Sequence, residues 1–245
     1  MSTLKQIQTE IEQCLVRKHK PLLVFDLDST LFDVSPRIKK ILLKYAANEK
    51  HQKQFPQATQ LLKEIQWLKS DWGIGPALQR VGLDQSHPEF LHSVQEYWRQ
   101  HFFSNEALHD DVPYEGAVEF VQKWHQQGAY ISYLTGRDVF RMGEGTVQVL
   151  KKWNFPLDAT ASLVLKPFKE MDDAQFKTDW FLSLHEGQPF QDIWFFENEP
   201  VNINKLRQHL PHIRVVFFDS THSGQEQPPS DIPSILHFLT EGIVE

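Results

Sequence analysis

Five short apolar runs set the rhythm of the chain: Leu22-Leu23-Val24-Phe25, Tyr130 to Leu134, Ser162 to Leu165, Ile193 to Phe196, and Ile213 to Phe218. Each is too short for a buried helix and rich in β-branched or aromatic residues, so each reads as a strand. Between them the apolar period lengthens to that of a helix, over Glu115 to Gln126, Thr146 to Trp153, Phe176 to Leu184 and Val201 to His209. The first of these carries Ala117, Val118, Val121 and Trp124 on one side and ends at Gly128, a residue suited to a helix C-cap. Residues 3 to 18 place Leu4, Ile7, Ile11 and Leu15 on one face, which predicts an amphipathic helix packed on the outside of the core. Strands that are apolar throughout and separated by helices predict an α/β fold whose parallel sheet is covered on both faces. Right-handed crossovers bring the C-terminal ends of such strands to one edge, where open α/β sheets bind ligands.

From about Ser35 to Asp111 the texture changes. Helical patterns follow one another (Ile38, Ile41, Leu42, Tyr45; Leu61, Leu62, Ile65, Leu68; Phe90, Val94, Tyr97, Trp98) with no strand among them, and Asp71 to Pro76 has the chemistry of a loop between helices. The expected organisation is a discontinuous α/β core, residues 1–34 and 112–245, carrying an all-helical insert over 35–111. Trp67, Trp72 and Trp98 are assigned to the insert's own core, with a ligand surface as the alternative. Ser223 to Ser230 reads as a loop before a short C-terminal helix.

Composition narrows the function classes. A net charge of -7 over 245 residues argues against a general grip on nucleic acid but permits a local basic pocket for a phosphate. The single cysteine, Cys14, cannot form an intramolecular disulfide and fits a reducing compartment as a buried helix residue. The twelve histidines show no helical ligand spacing, so they are read as solvated positions. No signal peptide or membrane-length apolar run is present, and a soluble cytoplasmic protein is expected.

The chemistry gathers at the strand ends. The first run stops at Asp26-Leu27-Asp28-Ser29-Thr30; strand geometry puts both aspartates on one face with Cα atoms roughly 6.6 Å apart, so a positive group is expected between them. Asp26 is placed to attack phosphorus as a carboxylate nucleophile, and Asp28 to move protons for the leaving oxygen and the attacking water. Thr135 and Gly136, in a Thr-Gly-Arg turn after the second strand, can hold a phosphoryl oxygen, and a lysine can offset charge accumulating in transfer. Magnesium takes oxygen ligands, here Asp26, the region of Asp28, and a third oxygen from Glu197 or Asn198.

In this order the motifs resemble those of the haloacid dehalogenase (HAD) superfamily over nearly the whole chain outside the insert. Asp26-Leu27-Asp28-Ser29-Thr30 resembles its first motif, Leu134-Thr135-Gly136-Arg137 its second, and Phe196-Glu197-Asn198-Glu199-Pro200 variants of its fourth, with Glu197 in place of the usual first aspartate. The third motif is a single lysine; Lys177 is favoured, at the start of the helix before the fourth strand, with Lys166 and Lys169 as rivals. The resemblance implies a three-layer Rossmann-like fold in which 35–111 is a C1-type cap. It also implies a Mg2+-dependent phosphatase acting on a small phosphorylated metabolite through an aspartyl-phosphate on Asp26. Alternatives are a nucleotide or polynucleotide-end phosphatase, a phosphotransferase, or a non-catalytic binding protein on the same scaffold.

Overall fold

The computed structural model describes residues 2–184, 190 and 192–239. Helix α1 (Thr3–Val16) leads into strand β1 (Pro21–Phe25), whose five positions are all buried. A strand buried on both faces belongs in the middle of a sheet. There β1 pairs in parallel with β4 (Tyr130–Asp138) on one side and β6 (Asp192–Glu197) on the other. Beyond these lie β5 (Ala161–Lys166), β7 (Arg214–Phe218) and β8 (Ser234–Ile235), giving the order β5-β4-β1-β6-β7-β8 with every pairing parallel.

Two apolar layers sandwich the sheet. On one face α1 and α7 (Ala117–Gln126) bury Ile7, Ile11, Val121 and Trp124 together with Phe25, Phe196 and Phe238. On the other, α9 (Asp173–Ser183) and α10 (Pro200–His209) bury Phe176, Phe181, Ile203 and Leu206 against Val24 and Phe195. The result is the expected three-layer α/β fold.

The helical cap is inserted after the first strand. Strand β2 (Phe32–Asp33) carries the chain out, and β3 (Val112–Pro113) pairs antiparallel with it on the way back, so exit and return lie side by side. Between them run α2 (Ser35–Ala47), α3 (Glu49–Gln54), α4 (Pro56–Leu61), α5 (Gly75–Arg80) and α6 (Pro88–Phe102). These helices close a separate hydrophobic cluster, including Ile38, Leu42, Tyr45, Leu78, Phe90 and Val94.

Three expectations need correction. The short C-terminal helix is instead strand β8: the Pro233 carbonyl accepts from Phe217 N and the Ile235 carbonyl from Asp219 N, so the segment satisfies the open edge of β7. Residues 240–245 lie outside the described residues. The helix expected from Thr146 begins earlier, as α8 (Val139–Lys152), capped by Asp138 accepting from Arg141 N; Gly143 and Gly145 had masked its period. Thr135 to Asp138 is not a turn but a bulged continuation of β4, whose register with β5 shifts between Thr135 and Asp138.

The end of the sheet away from Asp26 is tied by charge. Asp192 Oδ2 meets His19 Nδ1 at 2.9 Å and its Oδ1 accepts from Arg214 Nη1 at 2.5 Å. Burial pushes the Asp192 carboxyl up, but hydrogen bonds from His19 and Arg214 outweigh it and bring the pKa down to about 2. A folded-state pKa below the unfolded one contributes stability that is present above the ordinary carboxylate range and lost as pH falls through about 2. Asp192→Asn is expected to cost about 2 kcal/mol at neutral pH, and urea denaturation should show the gap to wild type closing below pH 4, near the carboxylate's ordinary value of 3.8.

Candidate active site

Parallel register brings the chemistry to one edge. Phe25 stands level with Tyr133 and Phe196, so Asp26, Thr135 and Glu197 follow at neighbouring strand ends, above the centre of the sheet. Asp26, Asp28, Thr135, Gly136, Lys177, Glu197 and Asn198 all line one cavity of about 1000 Å³ between core and cap. The charged groups around Asp26 and Asp28 form two clusters.

The first belongs to the core. Lys177 Nζ, on α9, donates to Asp26 Oδ1 and to Glu197 Oε2, both at 2.6 Å, and all three groups are buried. Burial raises the Asp26 carboxyl despite the neighbouring lysine, with the Glu197 charge adding to the rise. Lys177 itself is held above its ordinary value: the two carboxylates outweigh its desolvation. The second oxygen of Asp26 has no hydrogen-bond partner among the described residues.

Glu197 is fully engaged. Its Oε1 accepts from the backbone amides of Asn198 and Glu199, both at 2.9 Å, and its Oε2 accepts from Asn202 Nδ2 at 3.1 Å as well as from Lys177. Four donors around one buried carboxylate make it an orienting group for Lys177 and the turn into α10. Asn198 uses Nδ2 on the Thr221 carbonyl (2.6 Å), while its Oδ1 accepts from Thr30 Oγ1 at 3.0 Å and keeps a second lone pair.

The rival lysines stand elsewhere. Lys166 Nζ binds Asp173 Oδ1 at 2.5 Å and the Met171 carbonyl at 3.0 Å, and exposed Lys169 pairs with Glu170. Asp173, at the start of α9, packs so close to Gly136 that a Cβ there would collide with its carboxylate. Lys166 therefore holds the first turn of the helix that carries Lys177.

The second cluster joins core to cap and was not foreseen. Asp28 Oδ1 accepts from Arg37 Nη2 at 2.9 Å and from Arg137 Nη2 at 2.5 Å and Nε at 3.2 Å. Asp111, fully buried, accepts from Arg137 Nη2 at 2.7 Å and lies 3.1 Å from Arg37 Nε. Burial alone would raise Asp28, but the charges of Arg137 and then Arg37 hold its carboxyl well below the usual range. For Asp111 burial wins, and the pKa rises to about 6. Arg37 comes from the first turn of α2 and stacks 3.9 Å from the Phe102 ring. The cation expected between Asp26 and Asp28 is thus resolved into separate partners for each.

A further group of metal-capable donors lies at the opposite end of the sheet. Cys14, His19 and Asp192 bring their ligand atoms within 4.8 Å of one another. Histidine spacing gave no sign of it, because the three come from α1, the following loop and β6. Burial, and after it the Asp192 carboxylate, push the Cys14 thiol up to about 11. Its soft sulfur and nitrogen donors do not suit magnesium. Among the described residues no helix is long and apolar enough to cross a membrane.

A parallel sheet with an acidic edge beneath an inserted helical cap defines a hydrolase fold of the Rossmann-like class. The family model for haloacid dehalogenase-like hydrolases matches residues 21–151, more than half of the chain, and the chain belongs to that family. Solved structures agree on the fold. A haloacid dehalogenase-like family protein from Streptococcus pneumoniae matches at a TM-score of 0.52 and 12% identity, over 88% of this chain and 93% of its own. A haloacid dehalogenase-like hydrolase from Burkholderia xenovorans matches at 0.51 and 15%, over 90% and 94%. A phosphatase candidate from Clostridium difficile matches at 0.52 and 13%, over 82% and 86%. A search of curated protein sequences finds no match.

Removing one charge from a buried cluster leaves its partners uncompensated. Asp111→Ala, which strips both arginines of a carboxylate, is expected to lower stability by about 3–5 kcal/mol, measured as a shift of the urea unfolding midpoint at unchanged slope.

Proposed function

We propose that the protein is a magnesium-dependent phosphatase that hydrolyses a small phosphomonoester through an aspartyl-phosphate on Asp26, with 35–111 as its cap and 1–34 and 112–245 as its core. The single observation that carries this reading is Lys177 held between Asp26 and Glu197 at the mouth of parallel strands. The lysine fixes one oxygen of Asp26 and leaves the other free to attack. In the first step Asp26 bonds to phosphorus as the ester P–O bond breaks, and the leaving oxygen takes a proton from Asp28. In the second, water attacks the phosphoryl group, gives its proton to Asp28, and releases inorganic phosphate and free Asp26. Thr135 and Gly136 bind a phosphoryl oxygen, and Lys177 offsets charge on the transferring group.

The donor set fits magnesium: Asp26 and Asn198 are oxygen donors, with Asp28 beside them, whereas saturated Glu197 acts from outside. When bound, the ion supplies charge neutralisation on the phosphoryl oxygens. The arginine clamp ties the acid-base work of Asp28 to the cap. Two guanidiniums hold that carboxyl low, and one of them, Arg37, comes from the first helix of the cap. One buried, unpaired cysteine is in keeping with a reducing compartment such as the cytoplasm.

Asp26→Asn keeps the shape of the site and removes the nucleophile. Phosphate release from a metabolite-phosphate panel with magnesium is expected to fall to background in this variant, with cooperative unfolding in urea showing that it still folds. Undiminished turnover in the variant would overturn the mechanism. Magnesium binding without turnover of any phosphate by wild type would favour the non-catalytic alternative.

A further inference from the structure

The cavity has two unlike walls. The core contributes the carboxylates, Lys177 and Thr135, whereas the cap contributes rings: Trp67, Trp72, Trp98, Phe102 and Phe103. Trp67, Trp98 and Phe102 are partly buried and pack on the cap's hydrophobic cluster, so the sequence-based assignment to the cap core accounts for part of their surface. Trp72 is different: it is 56% exposed and belongs to none of the hydrophobic clusters among the described residues.

The loop that presents Trp72 is rigidly built. Asp71, 1% exposed, accepts from the Leu68 amide at 2.8 Å and from both terminal nitrogens of Arg80, which also donates to the Gln66 carbonyl at 2.8 Å. Gly73 supplies the left-handed turn, at φ +68°, that follows the tryptophan. The far side of the loop is fastened to the core, with Thr221 Oγ1 donating to the Lys69 carbonyl at 2.7 Å and Lys69 Nζ 2.9 Å from Asp219. An indole left in water on a loop this constrained is a preorganised contact, since the ordering cost is met before any ligand arrives.

Size points the same way. Ligand pockets run from about 300 to 1000 Å³, and this cavity of about 1000 Å³ lies at the top of that range. A three-carbon phosphate would leave most of it filled with water. A molecule with a phosphate at one end and a flat apolar ring at the other matches both walls.

Resting on the phosphatase reading above, we propose that loop 66–75 is a stacking platform and that the substrate is a phosphomonoester whose leaving group bears a planar aromatic ring. Nucleoside monophosphates and aryl phosphates share this chemistry. Stacking is selective for the ring and indifferent to the reacting bond, so its removal is felt as weaker binding of ring-bearing substrates.

The test compares purine nucleoside 5'-monophosphate with ribose 5-phosphate, which lacks the base but breaks the same kind of ester bond, on the full chain with magnesium. Phenyl phosphate stands for the non-nucleoside source, and a preference between it and the nucleotide tells the two apart. The nucleotide or the aryl ester is expected to exceed ribose 5-phosphate in kcat/KM. Trp72→Ala should reduce that advantage by about 5- to 100-fold, mostly through KM, and Trp72→Phe should restore most of it. Ribose 5-phosphate turned over as well as both ring-bearing esters, or a ratio unmoved by Trp72→Ala, would overturn the platform. Failure to hydrolyse any ester removes the phosphatase reading instead. Calorimetric titration of wild type and Trp72→Ala with the nucleotide and phenyl phosphate then decides: tighter binding of either by wild type upholds the platform, and equal or absent binding of both overturns it.

Discussion

A buried ammonium between two carboxylates is the constraint on which the rest of the site depends. Taking an ion out of water costs several kcal/mol, and the cost is offset only where geometry is good and the remaining donors and acceptors are satisfied. Lys177 meets Asp26 and Glu197 at equal distances of 2.6 Å, and Glu197 spends its other capacity on two backbone amides and Asn202. This arrangement requires α9 and α10 to dock on one face of the sheet in a fixed relation. The Lys166–Asp173 contact against Gly136 fixes the first turn of α9, and Asn202 places α10 against the same carboxylate. Sheet register, helix packing and the charge of the site are therefore one problem with one solution.

The second charge cluster differs in kind because its members come from both domains. Asp28 and Arg137 sit on the core edge, Arg37 on the cap's first turn, and Asp111 where the cap returns to β3. Arg37 Nη1 and Arg137 Nη1 are buried without hydrogen-bond partners among the described residues, and the Arg37 Nε–Asp111 contact is close without being aligned as a hydrogen bond. A network satisfied this incompletely carries a penalty. It concentrates that penalty at the neck where the cap joins the core, while the Lys177 cluster beneath it stays wholly within the core.

The sequence made the architecture legible because each central strand is a short, mostly apolar run with polar chemistry at its end. Asp26, Thr135 and Glu197 stand out for that reason. Arg37 and Asp111 did not, since each looks like an ordinary charge at the border of a helical stretch, and only tertiary folding brings them to Asp28. Glu197 was visible as a substitution in a motif, but its four hydrogen-bond donors include amides whose direction depends on the turn into α10. The C-terminal strand escaped because its two residues carry no period, and their conformation is decided by the open edge of β7.

Glu197 also explains how the site tolerates its own charge. One methylene longer than aspartate, the side chain folds back so that Oε1 meets the amides just after it while Oε2 reaches Lys177. The carboxylate is consumed as scaffold, and oxygens of Asp26, Asp28 and Asn198 keep capacity to spare. Together the two clusters hold four carboxylates (Asp26, Asp28, Asp111, Glu197) against three cations (Arg37, Arg137, Lys177). With every group ionised the two clusters together are negative by one charge, and Asp33, Asp172, Asp173, Glu199 and Asp219, against Lys69 and Arg99, add to that sign along the cavity lining, which favours a cation over a phosphate dianion.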